Sequence, residues 1–382
     1  MTGAPSSTRK GNRYLHGLDL LRVLAAFCVL YIHLTGWLLH AHHPWPVGDA
    51  VNALVVRPLR LEPDLANLGI TTFLIVSGIV TTHVALRERP LQFLGRRAAR
   101  LVPALAVTVL AAWPLATAGL LMTSEDYDLA DVVANMFLVN YFLPDTPVVL
   151  DVTWSLTVQF SFYFFVAATI PLLRRWPWLP PAIGATTVSV LLSLINTQDT
   201  PAEHQLRVII TFLPVMFLGQ LVSLVRSGQL APAAGIGLGA VHFLLFVRAT
   251  LTNETIPGGS ANPRIVALVM LVVLLVGPSR GRIVTRPWVR TLSSRTYSVY
   301  LAHKVAAYPL LALLSPSIGW VAALLVALVG VGVATELLYR CVEMPINKWY
   351  RKWLEPRTNP RRRRPGENQG RARATEAVPR SR

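Results

Sequence analysis

Apolar stretches close to twenty residues long recur from one end of this chain to the other. Each is long enough to cross a bilayer core of about 30 Å as a helix. Ten can be drawn, near residues 18–39, 67–86, 101–122, 153–173, 179–196, 206–225, 231–250, 262–278, 292–314 and 318–340. With 53% of the 382 residues hydrophobic and only 14% charged, the composition fits a membrane protein and argues against a water-soluble globule. The expected fold class is all-α, a polytopic integral membrane helix bundle in which both termini are cytoplasmic.

Charge supplies the orientation. The formal net charge of +17 invites a nucleic-acid reading. Lys and Arg, however, gather in short segments between spans and in the tail, as the positive-inside bias expects. Starting with the N-terminus in the cytoplasm, one side receives Arg87, Arg89, Arg96, Arg97 and Arg100, then Arg174 and Arg175, Arg226, and Arg280, Arg282, Arg286 and Arg290. The other side receives Glu125, Asp126, Asp128, Asp131, Asp199 and Glu203. The stretch Val132 to Leu143 is apolar but short, and counting it as a span would invert every later basic segment. It is expected to be re-entrant or interfacial. Arg9, Lys10 and Arg13 precede the first run as in a signal peptide, but the run exceeds a signal core of about 7–15 residues and no small-residue cleavage site follows. A retained first span is expected. The organisation read from this is a cytoplasmic segment over 1–17, a membrane domain over 18–350 and a basic, disordered tail over 351–382. From Cys341 onward twelve Lys and Arg stand against four Glu, a surplus of eight that would hold the tail near anionic lipid. The predicted location is the plasma or inner membrane, as a multi-pass protein with the bilayer and no nucleic acid as partner.

Ionisable residues inside a span are costly and mark candidate sites. Arg22 and His33 share the first run, and eleven residues make about three turns and roughly 16 Å of rise, so both lie on one face. His33 can take a hydroxyl proton near neutral pH or carry a group on nitrogen, or it can simply bond a neighbouring helix. Arg22 can snorkel to headgroups or pair with Asp19. Arg97 and Arg100, with Arg96 beside them, sit in a basic segment before Pro103. Their guanidinium groups suit phosphate, although topology alone also produces such a segment. Trp154, Ser155, Thr157, Gln159 and Tyr163 open the fourth span, and polar side chains there require partners in the bundle or belong to an aromatic belt. Tyr297, Tyr300, His303 and Lys304 occupy the ninth, where a lysine at depth needs a cavity or a partner. Cys28 and Cys341 form no framework, and His42, His43 and His83 give no metal set. No phosphate-cradling glycine loop, dinucleotide fingerprint or serine nucleophile elbow occurs.

Taken in order, these segments resemble the membrane acyltransferase type 3 family, the bacterial O-acetyltransferase-like proteins, over roughly residues 14 to 350. The resemblance rests on Gly17-Leu18-Asp19-Leu20-Leu21-Arg22 with His33, on Phe73-Leu74-Ile75-Val76-Ser77-Gly78, and on Arg97 and Arg100 before Pro103. Trp154-Ser155-Leu156, Tyr297-Ser298-Val299-Tyr300-Leu301-Ala302-His303 and Glu343-Met344-Pro345 complete it. It implies an O-acyltransferase that moves an acyl group, acetyl in the first instance, from acyl-CoA to a hydroxyl of a carbohydrate, glycolipid or glycosylated small molecule, with no tightly bound cofactor and no metal. It further implies His33 as the catalytic histidine with Arg22 its partner. Arg97 and Arg100, with Arg96, would contact the phosphates of acyl-CoA, and Trp154, Ser155, Gln159, Tyr163, Tyr300, His303 and Lys304 would support them. The family usually has glutamate where this chain has Gln159, and a neutral amide cannot stabilise an imidazolium as a carboxylate does. The rival from another class is a transporter or flippase that uses His33, His303 and Lys304 as a proton relay.

Overall fold

The computed structural model describes residues 16–62, 65, 67–123, 125–195, 200–252 and 261–358, and among them every regular element is helical. Ten helices form the bundle: α1 (His16–His40), α2 (Leu68–Ala85), α3 (Pro90–Thr117), α4 (Trp154–Arg175), α5 (Leu179–Leu194), α6 (Pro201–Arg226), α7 (Pro232–Leu251), α8 (Ala261–Val276), α9 (Thr296–Ile318) and α10 (Trp320–Leu338). Eight of these are long and apolar enough to cross a membrane; α5 and α8 are apolar but shorter. The chain is a polytopic helical bundle, as expected.

Helix α2 is the centre of the packing. It crosses α6 where Gly78 meets Gly219, so close that a Cβ on either would strike backbone of the other helix. In a bilayer, apolar side chains gain little by leaving lipid, so small residues that let backbones touch are what hold helices together. Around the crossing, Phe217 of α6 meets Phe162 and Phe165 of α4 edge to face, with centroids 5.2 and 5.1 Å apart. Arg207, fully buried near the start of α6, donates to the carbonyls of Leu192 and Ile195 at 2.6 and 2.9 Å and to Thr252 Oγ1 at 2.8 Å. One side chain thereby satisfies acceptors at the ends of both α5 and α7.

Three boundaries differ from the sequence expectation. The segment holding Arg96, Arg97 and Arg100 is not a loop before a span at 101, because α3 starts at Pro90 and runs unbroken to Thr117. Pro90 at the first helical position, after an extended Arg89, starts the helix. Arginine is a good helix former, so basic charge marks a side of the membrane and not a helix end. The ninth span begins at Thr296, after a separate short helix Pro287–Ser293. His303 therefore lies only about 10 Å into the helix, nearer the arginine-rich end than a start at 292 implied. The basic tail, expected to lack structure from 351, is helical from Met344 to Thr358; residues 359–382 and 1–15 lie outside the described residues.

The apolar stretch 132–143 does not span. It folds as a helix Leu129–Met136, capped reciprocally by Asp128 and Asp131, followed by a 3-10 turn Val139–Phe142. Asn135 holds the return of the chain by donating to Pro147 O at 2.9 Å and accepting from Val149 N at 3.0 Å. This folded connection delivers Asp151 to the top of α4, and that placement decides one half of the site.

Candidate active site

Two polar clusters sit on the axis of the bundle, one toward each end. The first is a cleft at the arginine-rich end, lined by Arg22 from α1, Phe73 and Ser77 from α2, Arg97 and Arg100 from α3, Gln159 and Tyr163 from α4, and Tyr297 from α9. Five helices thus supply one wall each. Its volume of about 40 Å³ holds roughly two or three waters.

The charges here are held from behind. Arg22 Nη1 is 3.7 Å from Asp19 Oδ1, and Ser293 Oγ donates to that same oxygen at 2.8 Å. Arg100 Nε is 3.6 Å from Glu343 Oε1, and Ser298 Oγ donates to the other oxygen of Glu343 at 2.8 Å. Among the described residues Arg97 has no such partner. Its guanidinium lies over the rings of Phe93 and Tyr163 at 5.4 and 5.7 Å, and its buried Nε makes no hydrogen bond. Gln159 Oε1 accepts from Ser77 Oγ and from Tyr163 OH, each at 3.0 Å, which leaves the buried Nε2 without an acceptor. The cleft therefore presents three guanidiniums and a spare amide donor, and no carboxylate is among its lining residues. That chemistry suits an anion rich in oxygen, such as a phosphate.

The second cluster lies beyond one aromatic layer. Phe73 closes the cleft and stacks on Tyr300 with centroids 6.0 Å apart and planes 6° from parallel. Tyr300 is fixed, since its hydroxyl shares a hydrogen bond with Ser155 Oγ at 2.8 Å and donates to Val152 O. On its far side stands His303, 6.2 Å away by ring centroid, and His303 in turn lies 4.9 Å from His33. Lys304 Nζ donates to both oxygens of Asp151, at 2.7 and 2.6 Å. Tyr308 OH donates to the backbone carbonyl of His33 at 3.0 Å, which ties α9 to α1 at this level.

Of the residues singled out from the sequence, Arg22, Arg97, Arg100, Gln159 and Tyr163 meet in the cleft, and His33, Tyr300, His303 and Lys304 meet above it. Ser155 holds Tyr300, in the aromatic layer between them, at 2.8 Å. Arg96 goes elsewhere: it pairs with Glu88, and its side chain is 42% exposed, away from the cleft lining. Trp154 packs its ring on Phe212, 4.9 Å between centroids, and lines nothing in the cleft. His43 is sandwiched between Trp37 and Trp320, 6.0 Å from each. Among the described residues no group of three or more His, Cys, Asp or Glu is placed to hold a metal ion. The residue that sequence reasoning missed is Asp151. An acid directly before an apolar helix was the available signal, but its partner lies 153 positions away in sequence.

The chain matches the acyltransferase domain family over residues 15–339, which takes in every residue of both clusters except Glu343. It belongs to the acyltransferase type 3 family. Among proteins of known name, it is 25% identical over 334 residues to a Staphylococcus aureus (strain COL) protein that carries the provisional name O-acetyltransferase; that match covers 77% of this chain and 51% of the relative. A protein of Rhizobium leguminosarum bv. viciae named nodulation protein 10 is 25% identical over 202 residues, covering 48% of this chain and 51% of its own. The chain thus spans about half the length of these curated relatives. No solved structure matches it.

Proposed function

We propose that this protein is an integral membrane O-acyltransferase that takes an acyl group, acetyl in the first instance, from acyl-CoA and transfers it to a hydroxyl of a carbohydrate, glycolipid or glycosylated small molecule. The observation that carries the proposal is the juxtaposition of a three-arginine cleft with an imidazole pair, separated by the single Phe73–Tyr300 layer. The family assignment supports the reaction class. An acyl-CoA divides the same way, with phosphates at one end and a thioester at the other of a long, thin arm.

In this reading Arg97 and Arg100 hold the donor's phosphates on the cytoplasmic side and Arg22 guides the arm inward. The cleft has room for only a few waters, so entry of the arm requires Phe73 to turn aside. Tyr300, held by two hydrogen bonds, stays in place as the wall on which the thioester comes to rest. His33 acts as general base on the hydroxyl or as a transient acyl carrier. The acceptor approaches from the opposite end, where the Asp151 side chain is 55% exposed although Lys304 beneath it is only 6% exposed.

The test is turnover by purified protein in lipid vesicles supplied with acetyl-CoA and glycan or glycoside acceptors. The expected result is release of free CoA matched by one added acyl mass on the acceptor. His33→Ala should abolish both while leaving expression and insertion intact; full activity in that variant overturns the mechanism. Vesicles that move the substrate unmodified, with no CoA released, would identify a transporter instead. Comparison of surface glycans and secreted metabolites from cells with and without the gene then identifies the acceptor by one lost acyl mass.

A further inference from the structure

The two imidazoles above the aromatic layer are not equivalent. The Nδ1 of His303 is 2.7 Å from the backbone carbonyl oxygen of Tyr300. A carbonyl can only accept, so Nδ1 carries the hydrogen and Nε2 carries the lone pair. That Nε2 is buried, and among the described residues it has no hydrogen-bond partner. Leaving a buried acceptor empty costs free energy, and native structures seldom accept that cost without a use for the atom. For His33, by contrast, the bond at its level is made to its backbone carbonyl and the ring contact is a tilted packing, 40° between planes, against His303, so nothing among the described residues selects its tautomer.

A general base works best when a third group fixes its tautomer and its orientation, as an acid or carbonyl does behind a catalytic histidine. Of the two imidazoles at this site, His303 is the one with that arrangement among the described residues. Tyr300, whose carbonyl does the fixing, is itself anchored through its hydroxyl to Ser155 and to Val152 O. His303 precedes Lys304 in the chain, and Lys304 pairs with Asp151 at the more open end of the cluster. Accepting from a hydroxyl that arrives there would fill the empty position on Nε2.

We infer that His303, held as the Nδ1–H tautomer by the Tyr300 carbonyl, is the base that receives the proton of the acceptor hydroxyl. This rests on the acyltransferase reading above. The acceptor O–H bond breaks with its proton passing to Nε2, and the oxygen's electron pair forms the new C–O bond at the thioester carbonyl. The C–S bond breaks as that carbonyl re-forms, and the proton on Nε2 leaves with the sulfur as free thiol. If His33 carries the acyl group in between, the proton its ring gives up on acylation leaves with the sulfur as free thiol. In the second step the hydroxyl proton passes to His303 Nε2 and on to the His33 nitrogen as the N–acyl bond breaks, which leaves the second of the two roles open to His33 and assigns the first to His303.

The experiment compares wild type, His303→Gln and His303→Ala in vesicles with acetyl-CoA and a glycoside bearing free hydroxyls. Glutamine keeps a polar group near Nε2 but cannot carry the proton. The expected result for His303→Gln is a fall in kcat of about 100-fold or more with a donor KM within about threefold of wild type. His303→Ala should regain activity when free imidazole is added, a response that a purely structural role would not give. A His303→Gln enzyme whose kcat stays within about threefold of wild type overturns the assignment. So does loss of activity in His303→Ala that imidazole does not restore in a variant melting like wild type. If wild type transfers no acyl group from any acyl-CoA, the acyltransferase reading fails and this assignment with it; if wild type is active, only the assignment is at stake.

Discussion

Replacing Gly78 by alanine is a one-carbon change at the point where α2 and α6 touch. The new Cβ would land within the radius of Met216 O and crowd the Cα of Gly219, and both obstacles are backbone. Backbone cannot rotate out of the way, so the two helices must separate along their contact. Overpacking of this kind costs about 1–3 kcal/mol, and a clash with main chain on two sides belongs in the upper half of that range. Alanine's better helix propensity offsets at most about 1 kcal/mol, and less where the unfolded reference in lipid keeps its helices. The net expectation is a loss of about 2 kcal/mol, enough to shift an unfolding equilibrium by more than tenfold. The same change at Gly237 on α7, where a Cβ would meet nothing within 4 Å, should leave stability unchanged. The assay is unfolding in mixed micelles, followed by tryptophan fluorescence, for wild type, Gly78→Ala, Gly219→Ala and Gly237→Ala. Because Ser77 and Phe73 face the cleft from α2, the Gly78 variant should also lower acetyl-CoA turnover before it lowers expression. A Gly78→Ala protein as stable as Gly237→Ala would refute the claim that α2 and α6 are held by backbone contact.

Three further outcomes follow from the same structure. Asp151→Asn should destabilise the protein more than Lys304→Met, because the first leaves a lysine only 6% exposed without its carboxylate and the second leaves a carboxylate that water already reaches. An unpaired buried charge costs about 3 kcal/mol or more, so equal losses in thermal melts of the two variants would contradict this. Glu62, buried between the first two spans, has its carboxyl pushed up from 4.5 to about 7 by burial, against the opposing effect of hydrogen bonds from Asn67. The folded state therefore binds this proton more tightly than the unfolded one; the stabilisation is complete below 4.5 and is lost as pH rises through about 7. Wild type should lose melting temperature relative to Glu62→Gln as pH is raised through that window, and parallel curves would refute it. Gln159→Glu places a carboxylate in a cleft whose lining has none, so it should weaken acetyl-CoA binding measured by calorimetry, most strongly at low salt; unchanged affinity would show that the phosphates bind elsewhere.

The overall plan of this molecule is carried by local composition. A run of apolar residues long enough for the bilayer forms a helix in any context, because only intrachain hydrogen bonds can satisfy its backbone in lipid. That rule alone finds the eight helices long and apolar enough to cross, and it rejects 132–143 as a span. The lengthwise alignment of Arg22 with His33 follows from helix periodicity in the same way. Pairings across the bundle do not. Nothing in the order of residues says that Lys304 meets Asp151, that Arg100 is backed by Glu343, or that Arg96 turns away while Arg97 and Arg100 turn in. Those depend on which helix faces which, and in lipid that is chosen by shape at small residues such as Gly78 and Gly219 and by distant polar groups finding each other. The sequence by itself determined a helical membrane protein and named most of the ionisable groups of its two polar clusters. Only the tertiary structure decided that they divide into an arginine cleft and an imidazole pair with one aromatic layer between them, because a contact between helices is a property of two surfaces and is written in neither one alone.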